Sequence, residues 1–109
     1  MAQIIWSARS IKDIDEIAGY ISKDSFQYAE EQVRQFFVKA KFLEKHPLIG
    51  RIVPELKGFS IRQILCGHYR IIYEIINRQQ IGIITVHHQS RLLKNNPSMK
   101  KLLVGKKKK

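Results

Sequence analysis

The sequence predicts an α+β domain. An antiparallel sheet, made of a three-stranded C-terminal meander and an N-terminal edge strand, packs on a helical hairpin. Three observations carry this. Phe59–Leu65, His68–Ile76 and Ile81–His88 are runs dense in Ile, Tyr and Phe, residue types that suit a pleated, half-buried surface. The connections between them, Cys66-Gly67 and Asn77-Arg78-Gln79-Gln80, are two and four residues long, and connections that short join antiparallel neighbours. Upstream, apolar residues recur every three or four positions in two successive stretches, the period of a helix.

In chain order, Gln3–Trp6 is a short apolar segment and reads as the first strand. Ser7 or Ser10 then caps a helix, and Ser10 with Asp13 has the S-x-x-D capping spacing. Ile11, Ile14, Ile17, Ala18 and Ile21 form its apolar stripe, with Lys12, Asp13, Asp15 and Glu16 on the other face. Asp24, followed by Gln27 three residues on, is the expected N-cap of a second helix. Its stripe is Phe26, Ala29, Val33, Phe36, Phe37, Ala40 and Leu43, and Pro47 stops it near Lys45–His46. So short a connection makes the helices an antiparallel hairpin. Fully burying each Ile or Phe is worth about 1.5–3 kcal/mol, and the sheet is the surface available for it. Within the middle run, Tyr69, Ile71, Tyr73 and Ile75 point one way and Ile72 and Ile76 the other. A strand apolar on both alternations is covered on both faces. The second cover is then a partner or the chain's own C-terminal segment. After a loop at Leu92–Asn95, Asn96-Pro97 reads as an N-cap with proline at the first helical position. Met99, Leu102, Leu103 and Val104 make a short third helix ended by Gly105, and Lys106–Lys109 is a disordered, solvated tail.

At 109 residues the chain is a single domain, residues 1–105, with one modest core. No run of about 18 apolar residues exists, so no membrane span or membrane partner is expected. The opening MAQIIWSARS has no basic region followed by an apolar one, so no signal peptide is expected. Cys66 is the single cysteine, which excludes an internal disulfide and places the protein by default in a reducing cytoplasm. The net charge of +11 divides unevenly: zero over residues 1–46, +4 over 47–93 and +7 over 94–109. That basic field favours an anionic partner, either nucleic acid or an acidic protein segment.

Taken together, the chain resembles the RelE/ParE superfamily of type II toxin–antitoxin toxins. The residues that carry the resemblance are His46-Pro47, the run Gly50-Arg51-Ile52-Val53-Pro54-Glu55-Leu56, Ile61-Arg62, Gly67-His68-Tyr69-Arg70-Ile71-Ile72-Tyr73, and Val86-His87-His88 with Arg91. The β-α-α-β-β-β order covers nearly the whole chain, and the G-R-x-V-P-E-L and Y-R-I-x-Y runs are most similar to the ParE branch. The resemblance implies the toxin of a plasmid-stabilisation-like system, neutralised by a cognate antitoxin, that inhibits growth by binding DNA gyrase and needs no catalytic residue. The RelE branch implies instead a ribosome-dependent cleavage of mRNA. The Lys/Arg-rich positions of RelE proper hold Leu65-Cys66 and His88-Gln89 here. A nuclease would be left with Glu55 or His88 as base or acid and Arg62 and Arg70 to stabilise charge, a set similar to that of the YoeB-like nucleases. A third possibility is a non-toxic binding module of the same fold.

The candidate partner- or anion-binding residues are therefore Arg51, Arg62, Tyr69, Arg70, Tyr73, His88 and Arg91. Arg62 and Arg70 lie on adjacent strands across a short turn. They face one patch, or they pair with Glu55 or Glu74. His87 and His88 are neighbours on a strand and point to opposite faces, so they cannot share a metal ion. One is buried and hydrogen-bonded, and the other faces the functional surface near Arg91. Tyr69 and Tyr73 share a face, where core packing competes with base stacking. No Walker, Rossmann or nucleophile-elbow motif is present, and no cofactor or metal is expected.

Overall fold

Ser7 ends the first strand, β1 (Gln3–Trp6), and starts the first helix, α1 (Ala8–Ser22). These elements belong to a computed structural model that describes residues 1–56, 60–100 and 102. The Ser7 hydroxyl accepts the Ser10 N–H at 3.0 Å, satisfying one of the first-turn donors that the helix itself cannot. Ser10 donates its own hydroxyl to the Ser7 carbonyl at 2.8 Å. Ser7 is thus the cap that the sequence left open between two serines. The second helix, α2 (Phe26–Phe42), is capped by Ser25, whose hydroxyl accepts from the Tyr28 N–H at 3.1 Å. The expected cap, Asp24, sits one residue too early. The N–H groups of Asp24 and Ser25 both donate to Ile21 O, so Asp24 belongs to the closing turn of α1. α2 also stops short of Lys45–His46: both of those N–H groups fold back onto Phe42 O.

Five strands form one sheet in the order β1-β5-β4-β3-β2, with β2 at Arg51–Ile52, β3 at Ile61–Cys66, β4 at Tyr69–Asn77 and β5 at Gln80–His88. The meander β3-β4-β5 is antiparallel, as the short connections require, and closes with Cys66 opposite Tyr69 and Asn77 opposite Gln80. Gly67 has φ 61, the left-handed value that a two-residue hairpin turn with glycine first demands. Two features depart from the sequence expectation. β1 runs parallel to β5, with Ile4 opposite Ile81, so the sheet is mixed and not wholly antiparallel. Only a short connection forces antiparallel neighbours; β1 reaches β5 through two helices and three strands, and packing sets its direction. The second departure is β2, which adds a fifth strand by pairing Arg51 with Gln63 and Ile52 with Arg62. The expected strand start at Phe59 and the helix end and tail from Leu103 to Lys109 lie outside the described residues.

The sheet is covered on both sides. On the helical side, Ile14, Phe36, Ala40 and Leu43 pack on Ile71, Tyr73, Ile81, Ile83 and Val86. On the other, Val53, Leu56, Ile61 and Ile72 meet Leu93 and Met99, so the chain's own C-terminal segment supplies much of the second cover. Leu93–Asn95 forms a 3-10 turn where a loop was expected. Asn96 then caps a helical segment over 97–100, its Oδ1 accepting the N–H groups of Ser98 at 3.0 Å and Met99 at 3.4 Å. Ile83 pairs with Tyr73 and Thr85 with Ile72, which leaves Ile84 as an extra residue. This bulge lets Ile83 and Val86 face the helices while Ile84 faces the C-terminal cover. Three expected stripe residues miss the core: Ile11, Phe26 and Phe37 are exposed. Phe37 instead rests on Trp6 at the sheet margin, centroids 4.9 Å apart. Ile76 is likewise exposed, lying over Gly82 at the edge of the second face.

Candidate partner-binding surface

The segment that carries Arg51 is fixed from beneath by Tyr73. This side chain has no solvent exposure. Its hydroxyl donates to Pro47 O at 2.7 Å and accepts the Gly50 N–H at 2.9 Å, and burial pushes its pKa up. Arg62 Nη1 donates to Gly50 O at 2.8 Å. Gly50 must be glycine, because a Cβ there would meet the Tyr73 hydroxyl, Tyr73 Cε1 at 2.7 Å and Gln63 O at 2.8 Å. Tyr73, expected among the partner contacts, is thus wholly buried in this chain. Its ring fills the core while its hydroxyl holds the 47–50 turn.

Arg62 and Arg70 do not share a patch. Arg62 is opposite Tyr73 and so lies on the helical face, since residues directly opposite across a ladder share a side. Arg70 is two residues from Ile72 on β4 and opposite His87, which places it on the face under the C-terminal segment. There its Nη1 donates to Gln63 Oε1 at 2.8 Å, and its Nη2 approaches Glu55 Oε2 at 3.5 Å. Arg51, opposite Gln63, is on the same side and exposed. The spacing of Arg62 and Arg70 in sequence concealed this, because a hairpin register decides the face of each residue and a one-residue slip reverses it.

His87 is buried. Its Nε2 lies 2.9 Å from Arg91 O, so that nitrogen must carry the proton. Its Nδ1 faces the Asn96 amide nitrogen at 3.0 Å. Burial, with the nearby Arg70 and Arg91 charges, lowers its pKa against the opposing pull of Asp13 and its bond to Arg91 O. His88 is on the other face, half-exposed. It stands edge-on to Tyr69 at 5.2 Å, and its Nδ1 is engaged by Ser90.

Two residues that the sequence places only locally, Asp13 on α1 and Asn96 as a helix cap, organise this end of the sheet. Asp13, assigned above to the solvated face of α1, turns inward. Its Oδ2 accepts the Thr85 hydroxyl in a short hydrogen bond and the Val86 N–H at 3.1 Å. The carboxylate thus pairs the β5 edge beyond the point where β1 stops. Asn96 Nδ2 donates to Thr85 Oγ1 at 3.0 Å, joining the C-terminal segment to the same chain of bonds. The signal for Asp13 was present: Ser10, Asp13, Ile14, Ile17 and Ile21 lie on one helical face, and the stripe is rotated toward its polar members.

Against this network, a groove of about 830 Å³ runs between α1 and the end of β5, with Asp13, His87 and Asn96 in its wall beside Tyr69, His88 and Arg91. Tyr69 packs edge-on against Phe36 at 5.5 Å, and burial pushes its pKa up. Among the described residues, no three His, Cys, Asp or Glu side chains converge on a metal-sized site. Nor is any helix there long and apolar enough to cross a membrane.

A five-stranded mixed sheet, a helical hairpin on one face and a C-terminal segment on the other define a small α+β protein of the RelE/ParE class. The sequence matches the family described as "ParE toxin of type II toxin-antitoxin system, parDE" over residues 4–93. The chain belongs to that family. It is similar to a solved structure titled "Chromosomal ParDE TA system from P. aeruginosa", with 16% identity and a TM-score of 0.67, covering 81% of this chain and 96% of that one. That likeness is one of fold. No curated protein sequence matches the chain.

Proposed function

We propose that this ParE-type toxin acts by binding, with DNA gyrase as its target, and is held inactive in the cytoplasm by a cognate antitoxin that covers part of its basic surface. Family membership supports the toxin role. The observation favouring binding over catalysis is that the residues a ribonuclease would use are dispersed. Arg62 bonds Gly50 on the helical face, whereas Arg70 and Glu55 pair on the opposite one. His88 stands on the helical face, and both ring nitrogens of His87 are already engaged. The expected nuclease set of Glu55, Arg62, Arg70 and His88 is thus divided between the two faces of the sheet and does not converge on one cleft. Among the candidate residues, exposed Arg51 on β2 and Arg91 with His88 and Tyr69 in the groove are the contacts we assign to partners. All of the net positive charge lies beyond residue 46, which suits an acidic antitoxin segment and steers its encounter.

Inducible expression in a bacterial host, with and without the adjacent reading frame, tests this. The expected result is growth arrest with gyrase-dependent double-strand breaks, relieved by the neighbouring protein. Codon-periodic mRNA cuts without DNA breaks would overturn it in favour of an endoribonuclease. Tight antitoxin binding without any growth effect would identify a binding module that lacks toxicity.

A further inference from the structure

We propose that His87 is a pH-sensitive latch, whose protonation releases the C-terminal segment from the sheet face that it covers. The latch is a chain of hydrogen bonds whose polarity is fixed at every link. Asn96 Oδ1 accepts two backbone N–H groups, from Ser98 and Met99, which fixes which end of its amide is nitrogen. That nitrogen spends its two hydrogens on Thr85 Oγ1 and His87 Nδ1, each at 3.0 Å. Thr85 in turn gives its hydroxyl hydrogen to Asp13. His87 Nε2 must donate to Arg91 O, a pure acceptor. Neutral His87 with its proton on Nε2 satisfies every member, and no other protonation state does.

A second proton would go to Nδ1, where it would point at the hydrogen of the Asn96 amide. Two donors would then face each other in a buried site, and such a site is costly to leave unsatisfied. The charged groups around the ring do not relieve this. On β4, Arg70 opposes a positive imidazole, although Glu55 partly offsets it. Beyond the β5 turn, the Arg91 side chain opposes it too. On α1, Asp13 favours the charged form, but its carboxylate is committed to Thr85, Val86 and a 3.8 Å pairing with Arg9. Swinging the segment away removes Asn96 from Nδ1 and Arg91 O from Nε2 and admits water to both. Asn96 is also the helix cap, so the segment loses its own end as the latch opens. Leu93 and Met99 leave with it, uncovering Ile72 and Ile61.

The sign follows from the direction of the shift. His87 binds a proton less readily in the closed state than at its ordinary value of 6.5. The cover is therefore fully stable above that pH and loses stability as pH falls below it. Hydrogen exchange on the full chain reads this directly. The protection factor of the Met99 amide should fall up to about tenfold for each pH unit below the ordinary histidine value, until the closed-state pKa is reached. Nitrogen-15 imidazole spectra of the native protein should show the Nε2–H tautomer near neutral pH. Asn96→Asp puts an acceptor against Nδ1 and keeps a capping oxygen. The dependence should then reverse, with Met99 protection constant or rising as pH falls. An Nδ1–H tautomer, a Met99 protection factor that does not change with pH, or an Asn96→Asp profile like that of the parent would each overturn the latch.

Discussion

Tyr73→Phe is the sharpest test of how the basic turn is held. The substitution removes one oxygen and no carbon, so it leaves the ring packing against the helical-side core intact and opens little cavity. It does strip two backbone groups of their partner, the part-buried Pro47 C=O at 2.7 Å and the buried Gly50 N–H at 2.9 Å. Leaving a buried donor or acceptor unsatisfied costs about 1–3 kcal/mol. The two groups share one hydroxyl and the turn can relax toward water, so the expected loss is about 2 kcal/mol, not the sum of two full penalties. At roughly 4–8 °C of melting temperature per kcal/mol for a domain of this size, that is a shift of about 8–16 °C. Urea denaturation followed by circular dichroism measures it, with the slope unchanged if only stability has moved. Tyr69→Phe is the internal control. Tyr69 packs between Phe36 and His88, and its hydroxyl makes no hydrogen bond among the described residues, so the same atom removed there should cost under about 0.5 kcal/mol. Equal losses at both positions, or a Tyr73→Phe loss below about 0.5 kcal/mol, would refute the account of Tyr73 as the anchor of the 47–50 turn.

Three further outcomes follow from particular contacts. Asp13→Ala leaves the Val86 N–H and the Thr85 hydroxyl without their acceptor and should cost about 1.5–3 kcal/mol in chemical denaturation, far above an ordinary surface substitution on a helix. Gly67→Ala forces a Cβ into the left-handed region at φ 61 and within 3.1 Å of Gln32 Oε1; a loss of about 1–2 kcal/mol is expected, while Gly19→Ala, where nothing lies within 4 Å, should stabilise α1 by up to about 1 kcal/mol. Cys66 is buried, its thiol pushed up by desolvation, so thiol reagents near neutral pH should label it slowly in native protein and fast in urea, with no intermediate rate if labelling requires unfolding.

Most elements of this protein were legible in the sequence because each is fixed by neighbours within a few positions; β2, which exists only by pairing with β3, was not. The two-residue turn, expected at Cys66-Gly67 and found one residue later at Gly67-His68, the Ser7–Ser10 cap, the apolar alternation of Tyr69–Ile76 and the Asn96-Pro97 helix start are local patterns with local causes, and the resemblance they add up to agrees with the family to which the chain belongs. What the tertiary structure alone decided is which way things face. The parallel direction of β1 depends on how two helices return the chain to the sheet. The opposite faces of Arg62 and Arg70 depend on a register that pairs one with Tyr73 and the other with His87. Asp13 faces inward because β1 ends at Trp6 and leaves the Val86 N–H of β5 without a strand partner, a vacancy 73 residues away along the chain. Periodicity can say that a side chain lies on a stripe. Only the folded chain can say which unpaired backbone group that stripe will meet.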